Sequence, residues 1–235
     1  MEPVLNIIMN PFKAFKQLKG EEKFPLIALI ILLAFELINV ILNVPVSIKI
    51  SDLVMSNMSL PEKQMDMAIQ MTHKLRYLTM LGGFVMYAIM LFLHALLLFV
   101  LALLFKAKLN YMKALRLIIY CFIILIIGEL VNTALVYSGG IDQIENVYDV
   151  MRIGANRFTS VEKVGAPLFV FLYAINPFQL WFIILLSIGI KVFTDSNWSK
   201  SAIICFVYWL IVTLFPVVTT YFSQMAMASK GINIY

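Results

Sequence analysis

The chain has 235 residues, 62% of them hydrophobic and 13% charged, with a formal net charge of +5. A soluble domain of this length cannot hide that much apolar surface, so lipid must be the solvent for most of the chain. The basic residues are scattered between apolar runs rather than gathered on one face, which excludes a nucleic-acid partner and gives them a topological role.

In chain order, the first long apolar run begins near Phe24, and no small-x-small cleavage site follows it. It is therefore expected to stay in place as a signal anchor. Ahead of it, Asn10 suits a helix N-cap, Pro11 its first turn and Gly20 its end. Phe12, Phe15 and Leu18 recur at helical spacing, while Lys13, Lys16 and Lys19 line another face. Such an amphipathic helix either lies in the cytoplasmic headgroup layer or docks on a helix bundle. The first reading makes Phe12, Lys13, Phe15, Lys16 and Lys19 membrane-surface contacts.

Five runs are long enough to span the hydrocarbon core, which needs about 20 helical residues. They cover roughly residues 24–44, 82–105, 115–137, 168–190 and 201–222. Two long connections separate them, at 45–81 and 138–167. Each is expected to carry a short amphipathic helix. In the first, Ser59 and Glu62 fit a capping box, and Leu60, Met67, Met71, Leu75 and Leu78 form one stripe. In the second, Ile141, Ile144, Tyr148 and Met151 form another. No Gly/Ser linker divides the chain, which points to a single membrane domain over 1–235. The expected fold class is an all-α integral membrane protein, a five-transmembrane-helix bundle with an N-terminal amphipathic helix.

Positive charge sets the expected orientation. Lys13, Lys16, Lys19, Lys23, Lys106, Lys108, Lys113, Arg116, Lys191 and Lys200 would share one side, in short segments close to the membrane. Lys49, Lys63, Lys74, Arg76, Arg152, Arg157, Lys163 and Lys230 would share the other, diluted through long loops whose charges count for less. The N-terminus is accordingly expected in the cytoplasm and the C-terminus outside.

Two short motifs repeat within the apolar runs: Glu-Leu-Ile-Asn at 36–39 and Glu-Leu-Val-Asn at 129–132. In each, the carboxylate and amide are three residues apart and share a helix face. At about 1.5 Å per residue, Glu36 lies about 16 Å deep and Glu129 about 21 Å deep. His94 falls at a similar level on the second run. Glu36, Asn39, His94, Glu129 and Asn132 are thus candidates for one intramembrane polar cluster. An acidic residue at mid-membrane costs on the order of 3 kcal/mol, so it should face the interior, pair, or be protonated. Such a cluster can carry protons or cations, or it can simply hydrogen-bond helices together.

A third feature is Asn176-Pro177, inside the fourth run. Pro177 cannot donate to the Tyr173 carbonyl and its ring crowds that group, so the helix should kink or break there. Cys121 and Cys205 lie in apolar runs and lack zinc or redox spacing, which makes them buried, inert thiols. Met67 and Met71 share a face near His73, but in a methionine-rich chain they read as packing rather than copper ligands. No Gly-x-Ser-x-Gly elbow, His-Glu-x-x-His helix or P-loop is present, so neither an enzyme nor a cofactor is expected.

The segments Asn10–Leu18 (NPFKAFKQL), Ile175–Lys191 (INPFQLWFIILLSIGIK) and Lys200–Ile211 (KSAIICFVYWLI), with the span count, resemble the Yip1 family in its bacterial branch. That resemblance implies a five-span fold in the cytoplasmic membrane. For eukaryotic members it implies membrane shaping and small-GTPase binding. Their Asp-Leu-Tyr-Gly-Pro motif is absent here, where Asp52-Leu53-Val54-Met55 is the nearest approach, so small-GTPase binding is doubtful. The residues favour a non-enzymatic scaffold that meets the lipid bilayer and other membrane proteins or further copies of itself. The alternative is a small proton or cation transporter built on Glu36, His94 and Glu129.

Overall fold

The computed structural model describes residues 2–21, 23–56 and 62–228, without the side chains of 2–5, Glu62 and His73. The capping box expected of Ser59, and the stripe position Leu60, lie outside the described residues, as do Lys230 and Tyr235. Among the described residues the chain is helical and has no strand. In order come α1 (Glu2–Met9), α2 (Pro11–Lys19), α3 (Leu26–Leu42), α4 (Val44–Ser56), α5 (Glu62–Leu104), α6 (Tyr111–Gly139), α7 (Val161–Val164), α8 (Ala166–Tyr173), α9 (Pro177–Thr194) and α10 (Trp198–Ala228).

Four helical stretches have the length and apolarity to cross a bilayer: Lys74–Leu104, Tyr111–Gly139, Pro177–Thr194 and Trp198–Ala226. The pair α3 and α4, bent by 50°, is jointly long and apolar enough as well, which raises the count to as many as five. The bend falls where Pro45 has no N–H to offer the preceding turn. Nearby carbonyls find other donors. The Asn43 side-chain amide donates to the Asn39 carbonyl at 2.9 Å, and the Tyr137 hydroxyl donates to the Leu42 carbonyl at 2.6 Å. A break at membrane depth is tolerated when side chains satisfy the backbone in this way.

The helix boundaries differ from expectation in three places. The amphipathic helix of the first long connection is not separate: it continues into the second span as the 43-residue α5. Gly82 and Gly83 lie inside that helix and leave it unbroken. The stretch 168–190 breaks at Asn176-Pro177 as expected, but the break divides it between α8 and α9, and α9 alone is long and apolar enough to cross a bilayer.

The third difference is the second long connection, which holds 3-10 turns at Ile141–Gln143 and Ala155–Phe158 instead of one amphipathic helix. Its own polar side chains explain this. Asp149 Oδ2 accepts the N–H groups of Glu145 and Asn146, both at 2.9 Å, and Asn146 Oδ1 accepts that of Tyr148 at 2.8 Å. Side chains that capture nearby backbone donors compete with helix formation. Ile144 and Tyr148 of the expected stripe are nonetheless buried.

By contacts the chain divides into two compact units. The first comprises Met1–Glu36, Met86–Gly128 and Pro177–Val212. In it Phe15 and Leu18 of α2 are fully buried, as are Leu117 of α6 and Ile190 of α9. Gly189 lets these helices approach closely: a Cβ there would lie 2.6 Å from Leu117 Cδ2 and 3.3 Å from the Phe15 ring. Three asparagines cap its helices alike, accepting the N–H of the residue three further on: Asn10 from Lys13, Asn110 from Lys113 and Asn197 from Lys200.

The second unit comprises Leu37–Val85, Glu129–Asn176 and Thr213–Tyr235. One of its apolar clusters gathers Tyr148, Val161, Ala166, Phe169 and Val170; another gathers Val46, Val136 and Ile144.

Candidate functional site

The polar residues of the second unit concentrate where α6 meets its neighbours. Asn43 sits at the bend between α3 and α4, and its amide donates to Asn39 Oδ1 and to Thr133 Oγ1, both at 2.9 Å. Thr133 in turn donates to Asn39 Oδ1 at 3.1 Å. This closed triangle ties α3 to α6 through three neutral groups, and it satisfies them where water is scarce.

Immediately before Thr133 on α6, Asn132 does a different job. Its amide donates to the Val150 carbonyl and its carbonyl accepts the Arg152 N–H, each at 2.8 Å. Arg152 Nε donates to the Asp149 carbonyl at 2.7 Å, and the guanidinium lies against Gly139, where a Cβ would come within 2.4 Å of Nη1. Further along, the buried Asn156 donates to the Met151 carbonyl at 2.7 Å. Gly154 packs so closely on Tyr173 that a Cβ would lie 2.5 Å from its backbone oxygen. An irregular connection is thereby fixed to α6 and α8 at successive points.

Glu129, on the exposed side of α6, shares a side-chain hydrogen bond with Tyr173 of α8. Just after Tyr173 comes the break. The Asn176 amide donates to the Tyr173 carbonyl at 3.0 Å, the group that Pro177 cannot serve. Asn176 is 4% exposed, so its amide replaces water as the donor.

In the first unit, Tyr208 Oη and His94 Nδ1 are 2.8 Å apart. Phe122 flanks the imidazole at 5.0 Å between ring centroids, and Phe182 stacks edge-on to Phe122 at 5.5 Å. Glu36 is half-buried on α3 and belongs to this unit, whereas Asn39, Glu129 and Asn132 belong to the other.

The N-terminal helix corrects one expectation. Phe15 is fully buried, with its ring 6.4 Å from that of Phe193 and at a steep angle to it, so it contacts protein rather than lipid. Its spacing faces α9, whose Gly189 leaves room for it. Phe12 instead meets Trp198 edge-on at 5.4 Å and is 37% exposed. Lys13 and Lys16 are exposed, and Lys19 pairs with Asp195 at 2.6 Å.

A residue that sequence reasoning treated only as a topological charge proves structural. Arg116 is 2% exposed and donates through Nη1 to the carbonyls of Leu18, at 2.9 Å, and Glu21, and through Nη2 to that of Lys23, at 2.6 Å. A guanidinium offers five donors in a planar fork, which suits a cluster of carbonyls after a helix C-terminus. No local pattern announces this, because the partners lie more than ninety residues earlier.

An all-helical chain with four to five bilayer-length apolar helices is a multi-pass membrane protein. Its sequence matches the Yip1 domain over residues 5–220, and the chain belongs to the Yip1 family. Comparison with curated proteins gave no match, and neither did comparison with solved structures.

Proposed function

We propose that this Yip1-family membrane protein is a non-enzymatic scaffold, which organises membrane or binds other membrane proteins, rather than a transporter. The observation that carries this reading is the commitment of the motif amides to the fold. Asn39 is engaged by Asn43 and Thr133, and Asn132 by the backbone of residues 150 and 152. Glu129 is engaged by Tyr173 and His94 by Tyr208. Polar groups used this way hold helices together. A transport site must instead exchange its partners with water and substrate during each cycle.

The scaffold is proposed to sit in a bacterial cytoplasmic membrane as one Yip1-like domain, with its N-terminus inside and C-terminus outside. Lys13, Lys16 and Phe12 then meet the inner headgroup layer, where basic and aromatic side chains are favoured. Lys191, whose ammonium lies 4.3 Å from the centre of the Trp198 ring, adds to the same basic and aromatic surface. Reconstitution into liposomes, with ion flux read for the native chain and for a Glu36→Gln/Glu129→Gln variant, separates scaffold from transporter.

A further inference from the structure

A cavity of about 290 Å³ opens in the second unit between the bent α3–α4 pair and the N-terminal half of α5. Asn43 at the bend, with Ser47 and Ser51 four residues apart on one face of α4, lines one wall, and Arg76 lines the cavity from α5. Val40 and Met80 supply apolar lining. Arg76 is the charged residue among those that line the cavity.

Depth orders these groups. Arg76 is two residues from the start of the Lys74–Leu104 span, about 3 Å along the axis, whereas Met80 is about 9 Å along it. Arg76 therefore lies nearer the polar start of the helix, and Met80 lies one turn closer to the apolar run of 82–105. The wall opposite Arg76 is rich in acceptors. Ser47 Oγ donates to the Val44 carbonyl and Ser51 Oγ to the Ser47 carbonyl, both at 2.8 Å. Each hydroxyl oxygen keeps lone pairs to accept a hydrogen bond.

Arg76 is held in place but not saturated. Its Nη2 donates to the Tyr77 hydroxyl at 2.9 Å, and its guanidinium lies 4.7 Å from the centre of the Tyr77 ring. Its Nε is enclosed and has no hydrogen-bond partner among the described residues. An enclosed, unpaired donor on a guanidinium is costly unless something accepts from it.

From this arrangement we infer that the cavity binds an anionic phospholipid with a hydroxylated headgroup. The phosphate accepts from Arg76, the headgroup hydroxyls donate to Ser47 and Ser51, and the acyl chains leave past Val40 and Met80. Arginine suits a phosphate because its fork matches two oxygens at once. A soluble phosphate would use the cation and leave the apolar lining uncovered.

The test uses the full-length protein in nanodiscs or under native mass spectrometry, with phosphatidylglycerol, phosphatidylcholine and inorganic phosphate as probes. The native chain should retain phosphatidylglycerol over phosphatidylcholine by about tenfold, because both lipids bring the phosphate but choline offers no hydroxyl to Ser47 and Ser51 and sets a second cation beside Arg76. Arg76→Gln should weaken retention of both lipids about tenfold by removing the phosphate's partner, Arg76→Lys should keep part of that retention, and Ser47→Leu should lower retention of phosphatidylglycerol by filling the cavity. Equal retention of the two lipids by the native chain overturns the assignment. So does unchanged retention of phosphatidylglycerol in Arg76→Gln, or saturable binding of inorganic phosphate without selective retention of phosphatidylglycerol. If Arg76→Gln fails to fold, the native lipid comparison and Ser47→Leu still decide.

Discussion

Asn132 grips the backbone on both sides of Met151, donating to the Val150 carbonyl and accepting from the Arg152 N–H, each at 2.8 Å. One side chain on α6 thereby satisfies two backbone groups of a connection with little regular structure. Asn132→Leu removes both bonds and leaves two polar groups without partners. The expected loss is about 3 kcal/mol of stability, with faster hydrogen exchange at the Arg152 amide. Unchanged exchange there would mean that the loop is held by its other contacts.

Gly154 is the second fixing point of that connection. A methyl group at this position meets the Cα and carbonyl oxygen of Tyr173 at 2.5 Å, and backbone cannot swing aside as a side-chain tip can. Gly154→Ala should destabilise by about 1–3 kcal/mol, the usual range for overpacking. Thermal unfolding in detergent measures it, with Gly82→Ala as a comparison because nothing lies within 4 Å of a Cβ there.

Arg116 anchors the segment that follows α2. Arg116→Met leaves the carbonyls of Leu18, Glu21 and Lys23 without this donor. The expected cost is about 3 kcal/mol, concentrated in detachment of α2 rather than global unfolding. Hydrogen exchange over residues 14–20 should quicken while α6 stays protected; equal protection of α2 in both proteins would contradict the anchoring role.

Some of this was legible in the chain and some was not, for reasons of range. The Asn10 cap rests on residues three apart, and composition announces the apolar helices. Asn43 meets Thr133, and Arg116 meets Leu18, across ninety or more residues, and no window of sequence contains both partners. The stripe Ile141, Ile144, Tyr148 and Met151 has helical spacing, yet Asn146 and Asp149 capture the backbone donors locally and turn it into bends. Phe15 and Lys16 are neighbours in an amphipathic pattern that cannot distinguish lipid from a protein groove. Gly189 decides the matter for Phe15, and it lies in a helix far along the chain.

The proposed orientation has its own check. A reporter inserted in 106–114 should be active in the cytoplasm, and one fused after Tyr235 should be active outside. The reverse pattern at both points would invert the charge-based orientation.

Flux through reconstituted protein tests the scaffold reading most directly. A site that moves protons or cations must let a carboxylate ionise in contact with water, whereas a carboxylic acid that only holds helices together can stay protonated and dry. Glu36→Gln and Glu129→Gln keep size and hydrogen bonding but remove ionisation. The expected result is no pH-dependent flux above empty liposomes for the native chain, with the double variant folded and unchanged in its lipid or protein interactions. Robust native flux that the folded double variant loses would contradict the scaffold and establish a transporter.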